Sequence, residues 1–375
     1  MSVWIAIGFG ALDLVESEYA ADGFDIVVVP ATPGGPVFLL GEGAELWRRM
    51  AAGPVTVASL SAHEQEVARG LAEMGLASGD EGHPSRVREL NRPWLVSLFH
   101  ELVYALISNV AASEGIDILF IKGPTLHAQG LRVREHSGDV DCWVRPGDDR
   151  KLAGAMEAWG WTPLFLPFTG TTVTHSLTLV AGEWGCAVDV HTSFPGIGLP
   201  PTEAFEALYA GSEMRLFAGA MARTPRVPEH AVIAALHDMR PYDGVPAGAS
   251  AIEKSEFVLR RGGRSVLPVV SRLDAGFVLS DPLERVFGQE AAPFKTAAAP
   301  RDWGMRLETA SSRRHFKALR LLPIRQRPAV LYRLVWPHSD TMRIAMGDRS
   351  ATRLAVLRAR VRRVGVSVRK LISRR

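Results

Sequence analysis

Two aspartates separated by one apolar residue are the most constraining feature of this sequence. Asp139, Val140 and Asp141 lead into Cys142-Trp143-Val144, and alternation running into apolar residues predicts a β-strand. On a strand, the side chains of residues i and i+2 point to the same face, so the two carboxylates lie side by side. Neighbouring carboxylates repel each other unless a cation lies between them. The pair therefore predicts bound Mg²⁺, which prefers carboxylate oxygens and keeps positions open for substrate phosphates.

Two further segments place polar residues beside apolar runs. Lys122 directly follows the apolar run Leu119-Phe120-Ile121, and a charged side chain at the end of a buried strand indicates a functional role. Gly123 has no side chain, so the backbone can approach a phosphate closely. Asp189 and His191 lie on one face of the strand predicted for Trp184 to His191. Each residue also has a simpler interpretation: the Asp139/Asp141 pair as a solvated strand edge, Asp189 as an exposed strand residue, and His191 as an ordinary hydrogen-bonded histidine.

Length and composition indicate an ordinary globular protein. A chain of 375 residues favours two or three domains. The two cysteines, Cys142 and Cys186, exclude a disulfide framework and predict a cytosolic, cytoplasmic location with both side chains in the core. The apolar stretch from Val3 to Leu12 does not resemble a signal peptide, and no apolar run has the length of a membrane span.

The first 85 residues predict a small domain of strands and helices. Phe24 to Pro30 and Val37 to Leu40 are predicted strands joined by a Pro33-Gly34-Gly35 turn, which favours a hairpin. A helix follows at Gly43 to Met50. Another begins at the capping box that opens with Ser61 and carries Val67, Leu71 and Met74 at spacings of three and four.

This pattern, which includes Gly-Ala-Glu-Leu-Trp and Leu-Ala-Glu-Met-Gly-Leu, resembles the winged-helix-like PqqD domain of ribosomal-peptide biosynthesis. The resemblance implies that a precursor peptide adds to the sheet edge within residues 1–85. The alternative is a generic winged-helix or α/β cap that binds no ligand.

The remaining chain predicts a mixed sheet followed by helices. A helix from Trp94 to Ser113 is predicted after Pro93, and most of the segment after Pro200 is predicted to be helical. The other predicted strands are Ile116–Ile121, Asp139–Val144, Leu164–Phe168, Ser176–Val180 and Trp184–His191. The other predicted helices are Thr125–Leu131, Asp148–Gly160, Glu229–Met239, Ala251–Arg260, Arg264–Leu273 and Arg313–Leu322, with a loop from Gln289 to Pro300.

Three motifs occur in order along the chain: Ile121-Lys122-Gly123, Ser137-Gly138-Asp139-Val140-Asp141 and Val188-Asp189-Val190-His191. Pro228-Glu229-His230-Ala231 then enters a later helix. Together these motifs resemble the uncharacterised nucleotidyltransferase family of the polymerase-beta-like superfamily. The resemblance implies an α+β fold with a nucleotidyltransferase core at 86–225 and a helical domain at 226–375. The sequence also departs from the superfamily pattern at three places. Lys122-Gly123 stands in place of Gly-Ser, the arginines Arg132 and Arg134 are shifted, and Cys142-Trp143 follows the second aspartate.

The resemblance implies a role for each matched residue. Asp139, Asp141 and Asp189 are the expected metal ligands and catalytic residues for two Mg²⁺ ions and a nucleoside triphosphate, with Asp189 orienting or deprotonating the acceptor hydroxyl. The expected nucleotide-binding residues are Lys122, Gly123, Arg134, Gly138 and His191.

The last 25 residues predict a basic amphipathic helix. They carry nine Lys or Arg residues and no Asp or Glu, although the whole chain has a net charge of only +3. Apolar residues recur at spacings of three and four, which favours a single stripe: Leu354, Leu357, Val361, Val364, Val368 and Leu371. The stripe either packs on the protein body or serves attraction to nucleic acid, to nucleotide phosphates or to an anionic membrane surface.

Three functional interpretations follow from the sequence. The first is a Mg²⁺-dependent, ATP- or NTP-using nucleotidyltransferase whose acceptor is a ribosomally made (RiPP) peptide, a protein, an RNA end or a small molecule. The second is a nucleotide- or peptide-binding adaptor of the same fold without turnover, favoured by the departures near Lys122 and Arg134. The third is a metal-dependent phosphohydrolase that uses Asp139, Asp141, Asp189 and His191.

Overall fold

A computed structural model describes residues 2–135, 138–348 and 350–372 of the chain. Ser137 of the predicted phosphate motif and the final Ser373 to Arg375 lie outside the described residues. The strands are β1 (Val3–Ala6), β2 (Gly10–Asp13), β3 (Ile26–Val29), β4 (Val37–Leu39), β5 (Val55–Thr56), β6 (Ala77–Ser78), β7 (Ile118–Ile121), β8 (Asp139–Val144), β9 (Thr162–Pro163), β10 (Ser176–Val180), β11 (Ala187–His191), β12 (Ser212–Phe217) and β13 (Ala220–Pro225).

Helices follow and connect these strands, so the fold is α+β, as the sequence predicted. They are α1 (Gly41–Ala52), α2 (Ala62–Glu73), α3 (Leu98–Ser113), α4 (Gly123–Ala128), α5 (Asp148–Glu157), α6 (Pro201–Ala210), α7 (Val227–Met239), α8 (Ala249–Gly262), α9 (Val266–Arg272), α10 (Gly276–Phe287), α11 (Trp303–Arg306), α12 (Ser311–Leu321), α13 (Arg327–Val335), α14 (Ser339–Met346) and α15 (Arg353–Ile372). Short 3₁₀ segments cover Glu18–Asp22, Val57–Ser59, Gly288–Thr296 and Ile324–Gln326.

The N-terminal region contains two small antiparallel sheets. One has the strand order β5-β1-β6 and the other β2-β3-β4, and the pairing of β3 with β4 confirms the predicted hairpin. The capping box is also confirmed: Ser61 Oγ accepts the Glu64 N–H, and Glu64 Oε2 accepts the Ser61 N–H. Trp47 is fully buried in the core of this region, and its indole N–H donates to the Leu76 carbonyl at 2.8 Å.

The central element is a five-stranded sheet with the order β7-β8-β11-β10-β9. Strands β7 and β8 are antiparallel, and their register sets Ile121 opposite Asp141. Because Lys122 is the next residue, the end of β7 delivers it directly beside Asp141. Strand β11, which carries Asp189 and His191, is the other neighbour of β8.

The chain divides into two compact units, each built from several segments. The first comprises Met1–Trp161, Ala181–Val188 and Leu208–His230; the second comprises Thr162–Val180, Asp189–Ala207 and Ala231–Arg375. The predicted functional division into 1–85, 86–225 and 226–375 stays a prediction. Within the described residues, no helix is long and apolar enough to cross a membrane.

Several sequence predictions about elements are wrong. Helix α3 begins at Leu98 instead of Trp94, because the buried carboxylate of Glu101 accepts the N–H groups of Trp94 and Leu95 and holds that segment as a loop. Leu164 to Phe168 do not form a strand. The predicted loop from Gln289 to Pro300 contains 3₁₀ structure, and the segment after Pro200 contains the hairpin of β12 and β13.

The C-terminal stripe is only partly placed. Its residues Leu354, Leu357 and Val361 are exposed, and among the described side chains α15 buries Val356 instead. The helix itself is confirmed over Arg353–Ile372. Side chains beyond Gly365 lie outside the described part, so Val368 and Leu371 of the predicted stripe are not placed.

Candidate active site at the ends of three strands

The turn from β7 into α4 has an unusual backbone. Lys122 has φ 59° and ψ −142°, and Gly123 follows with φ 61°. A positive φ is uncommon for a residue with a side chain and costs free energy that neighbouring contacts must offset. Two hydrogen bonds hold this turn: the Lys122 N–H donates to His230 Nε2 at 2.7 Å, and Thr125 Oγ1 donates to the Lys122 carbonyl at 2.7 Å.

His230 is a fully buried, neutral histidine with a defined tautomer. Its Nδ1 lies 2.6 Å from Gln129 Oε1, while the Gln129 amide nitrogen donates to the Pro225 carbonyl. Since Oε1 can only accept, Nδ1 carries the proton and Nε2 is the acceptor for Lys122. Burial, together with nearby cationic side chains, lowers the pKa of His230 to about 3. The imidazole therefore remains an uncharged acceptor over the physiological pH range.

Lys122 and Asp141 form an ion pair with little access to water. Lys122 Nζ lies 2.5 Å from Asp141 Oδ1, and the two side chains are 13% and 4% exposed. Removing one charge from such a pair leaves the other buried without compensation, which is strongly destabilising. The cationic group predicted after the apolar run is thus directed at one of the predicted carboxylates.

Asp141, Asp189 and His191 form a candidate metal centre. Each offers one ligand atom, and these atoms all lie within 4.8 Å of one another. Asp141 and His191 are buried, whereas Asp189 is half-buried and its Oδ1 accepts a 2.6 Å hydrogen bond from Thr178 Oγ1 on β10. Carboxylates and imidazoles are common ligands of divalent metal ions, so these three side chains fit a divalent cation.

Asp139 is not part of this three-residue cluster. It begins β8, is half-buried and shares a strand face with Asp141, as the alternation predicted. The cluster instead takes His191 as its third member, a residue that the sequence had assigned to the nucleotide. The metal-ligand role of Asp139 stays a prediction.

The two arginines of the predicted site differ in burial, and Arg132 is half-buried. The side chain of Arg134 is exposed, and its carbonyl accepts a hydrogen bond from Arg132 Nε. Burial and the charge of Arg134 lower the pKa of Arg132, while Asp139 and Asp141 act in the opposite direction. Gly138, the other predicted nucleotide contact, is exposed beside β8.

Both its positive φ and its packing require a glycine at position 123. A side chain at this position would place its Cβ 2.4 Å from the hydroxyl oxygen of Tyr104, a ring that is fully buried. That hydroxyl has no hydrogen-bond partner in the described residues. Burial and the neighbouring Asp141 charge raise the pKa of Tyr104 well above its usual value, so the phenol is neutral. A phosphate contact at Gly123 stays a prediction.

Aromatic rings of the second compact unit surround His191, and a guanidinium of the same unit lies beside one of them. The ring of His191 lies 5.7 Å from that of Phe194 and 5.6 Å from that of His175. His175 Nε2 in turn lies 3.3 Å from Arg240 Nη1, a geometry in which the guanidinium donates to the imidazole. These contacts restrict the orientation of His191.

Sequence reasoning missed the roles of Tyr104, Gln129 and His230. His230 carried a signal, because it lies in the Pro-Glu-His-Ala segment that matches the family pattern, but nothing indicated its contact with Lys122. Tyr104 and Gln129 carried no signal that distinguishes them from ordinary core or surface residues.

Comparisons with known proteins assign no family to this chain. No protein-family model matches it, and no curated protein is significantly similar in sequence. Among solved structures, the antibiotic-resistance factor ANT(2'')-Ia, solved in solution, matches with a TM-score of 0.30 and 15% sequence identity over 47% of this chain and 90% of its own. A similarity of this size transfers neither activity nor substrate, so the site's own geometry must support any assignment.

Proposed function

We propose that this protein is a metal-dependent nucleotidyltransferase that moves a nucleoside monophosphate from a nucleoside triphosphate to an acceptor. The observation that carries the proposal is the cluster of Asp141, Asp189 and His191 on neighbouring strands, with the Lys122 ammonium directly beside it. Nucleotidyl transfer needs little covalent assistance and depends on alignment and charge neutralisation. Carboxylates with an adjacent cationic group meet that need.

The proposed roles follow the placement of each residue. Asp141, Asp189 and His191 would hold a divalent cation, for which we propose Mg²⁺, and Asp139 would be a ligand of a second ion. Bound ions of this kind neutralise phosphate charge and stabilise the attacking and leaving oxygens. Thr178 on β10 donates a hydrogen bond to the Asp189 carboxylate and so orients it. Asp189 is proposed to direct the acceptor hydroxyl.

The proposed triphosphate contacts lie on the side of Lys122. Its ammonium donates to phosphate oxygens, and the backbone at Gly123 and Gly138 provides close approach. Arg132 is proposed as the inner cation of the two arginines on its loop, because its side chain is half-buried whereas that of Arg134 is exposed. Arg134 is proposed only as an outer contact.

The proposed acceptor is a ribosomally made peptide recruited by residues 1–85. The support is local: β4 is an edge strand of the β2-β3-β4 sheet, and edge strands accept extended peptides by β-augmentation. Titrating a labelled precursor peptide with the full chain tests this, and we expect saturable binding. Absence of binding at high micromolar protein would reject the peptide acceptor while leaving nucleotidyl transfer untouched.

The activity is tested with α-labelled nucleoside triphosphates, Mg²⁺ or Mn²⁺, and a mixture of peptide, RNA and small-molecule acceptors. We expect pyrophosphate release with label on one acceptor, reduced about a hundredfold or more in Asp141→Asn and Asp189→Asn because charge neutralisation is lost. Asp281→Asn, an exposed aspartate on α10, is the matched control and keeps full activity. Equal activity in all four proteins would reject the assignment.

The Lys122–Asp141 ion pair supports a second candidate, a nucleotide- or peptide-binding adaptor without turnover. An ammonium at 2.5 Å from the carboxylate supplies a positive charge where a catalytic metal is proposed. An adaptor binds nucleotide and releases no pyrophosphate, whereas a phosphohydrolase releases nucleotide without labelling any acceptor. The same reaction therefore separates all three interpretations.

A further inference from the structure

The excess positive charge of this protein is concentrated in its last 65 residues. Residues 311–375, here called the basic segment, contain eighteen Lys or Arg and two acidic residues, Asp340 and Asp348, for a net charge of +16. The preceding 310 residues contain 25 basic and 38 acidic residues, for a net charge of −13. The segment comprises α12 to α15 and belongs wholly to the second compact unit.

Helix α15 is attached through a small face that is not its main apolar stripe. Val356 is buried in a cluster with Met342 and Ala351. Arg360 strengthens the attachment, because its guanidinium donates to the Pro337 carbonyl and lies 5.0 Å from the centre of the Trp336 ring. These contacts fix the orientation of α15 about its own axis.

The orientation of α15 turns a second apolar face towards solvent. Leu354, Leu357 and Val361 are 55%, 43% and 59% exposed, and their spacing of three and four residues places them in one row. Arg358 and Arg362 follow two of them in sequence and are exposed beside the row. An exposed aliphatic row bordered by arginines is typical of helices that lie in a membrane interface.

Other parts of the basic segment also expose apolar side chains. Large apolar side chains of this segment that are at least half exposed are Phe316, Ile324, Leu331, Tyr332 and Val335. Exposed apolar residues scattered singly need no explanation, so the row on one face of α15 is the stronger mark of an interaction surface.

We propose that the basic segment binds the surface of an anionic lipid bilayer, with the Leu354, Leu357 and Val361 row of α15 inserted among the lipids. The positive charge of the segment complements anionic headgroups. The aliphatic row decides against nucleic acid, which attracts arginines but offers nothing for leucine and valine side chains to enter. This proposal is independent of the proposed nucleotide chemistry.

Vesicle co-sedimentation with the full-length protein tests the proposal. We expect binding to vesicles of phosphatidylcholine with 30% phosphatidylglycerol as the chosen composition, roughly tenfold weaker binding to pure phosphatidylcholine, and weakening with added salt. The Leu357→Asp/Val361→Asp variant should lose at least about tenfold in affinity for the anionic vesicles. Val245→Asp is the matched control, since Val245 is also 59% exposed but lies outside the basic segment, and it should bind as the wild type does.

Three results would overturn the proposal. The first is equal vesicle binding by the double variant and the wild type, and the second is no binding to anionic vesicles at all. The third is binding to single-stranded or duplex RNA that is tighter than to vesicles and unchanged in the double variant, which would assign the segment to nucleic acid. Circular dichroism and thermal melting confirm that each variant is folded, and nucleotide turnover, measured without vesicles, reports separately on the proposed active site.

Discussion

The turn at Lys122 and Gly123 combines two positive φ angles with a buried ion pair. Glycine tolerates such a φ at little cost, and here it also makes room for the Tyr104 hydroxyl. A positive φ is costly for lysine. Lys122 keeps this conformation because His230 and Thr125 hold its backbone and Asp141 holds its ammonium. Strain of this kind concentrates at functional sites.

Gly123→Ala should destabilise the fold by about 2–4 kcal/mol, because it adds both a strained φ and a clash with Tyr104. Tyr104→Phe removes the oxygen that clashes, and alone it should change the free energy of unfolding by less than about 1 kcal/mol, since that hydroxyl has no described partner. Chemical denaturation of both single variants and the double variant measures the coupling. We expect the double variant to recover at least about 1 kcal/mol relative to additivity; strict additivity would contradict the packing account.

His230 should make the fold sensitive to mild acid. As pH falls below 6.5, an unfolded histidine takes up a proton, whereas folded His230 stays neutral until the pH approaches about 3. The unfolded state therefore binds more protons, and the free energy of unfolding falls as pH falls, by up to about 1.4 kcal/mol per pH unit.

His230→Gln removes this titration and keeps an acceptor for the Lys122 N–H. Denaturation between pH 7 and pH 4 should show a shallower loss of stability for the variant than for the wild type. Parallel pH profiles would mean that His230 is not held neutral in the folded protein.

At the level of elements, the sequence predicted best where a single local pattern decides. Strand β8 and β10 have the predicted bounds, because alternation and apolar runs specify them directly. The hairpin of β12 and β13 was missed although its turn at Ala218 and Gly219, with φ 46° and 86°, has the two-residue geometry that hairpins favour. Alternation of Glu213, Arg215 and their apolar neighbours was the available signal.

Glu101 shows why the start of α3 was not predictable from local sequence. Its buried carboxylate accepts N–H groups from Trp94 and Leu95 before the helix and from Ala218 in the hairpin turn. Burial raises its pKa, and these three N–H groups oppose that change. The Ala218 N–H, 117 positions away, binds one carboxylate oxygen in the core, while the other oxygen holds Trp94 and Leu95 out of the helix that Pro93 signals.

Glu101→Gln should cost about 1–3 kcal/mol, because the amide NH₂ group faces backbone donors in place of one acceptor oxygen. Glu66→Gln, on the exposed face of α2, is the matched control and should stay within about 0.5 kcal/mol of the wild type. Urea denaturation at neutral pH compares them. Equal stabilities would show that the three backbone hydrogen bonds contribute little.

For the whole molecule, the sequence predicted which faces carry the site but not which residues meet. Alternation places Asp139 with Asp141, and Asp189 with His191, on shared strand faces. The order of the strands brings Asp141 to Asp189 and His191, and the three-dimensional placement of the side chains leaves Asp139 outside the cluster. His230 contacts Lys122 across 108 positions, a distance that no local pattern encodes.

The central claim, a divalent-metal centre at Asp141, Asp189 and His191, is tested most directly by titrating the apo protein with Mn²⁺ and measuring free Mn²⁺ by electron paramagnetic resonance. We predict one saturable site whose affinity falls at least about tenfold in Asp189→Asn and in His191→Ala, and is unchanged in Asp281→Asn. Wild-type Mn²⁺ binding retained in both cluster variants, or no saturable binding in the wild type with or without nucleoside triphosphate, would contradict the account.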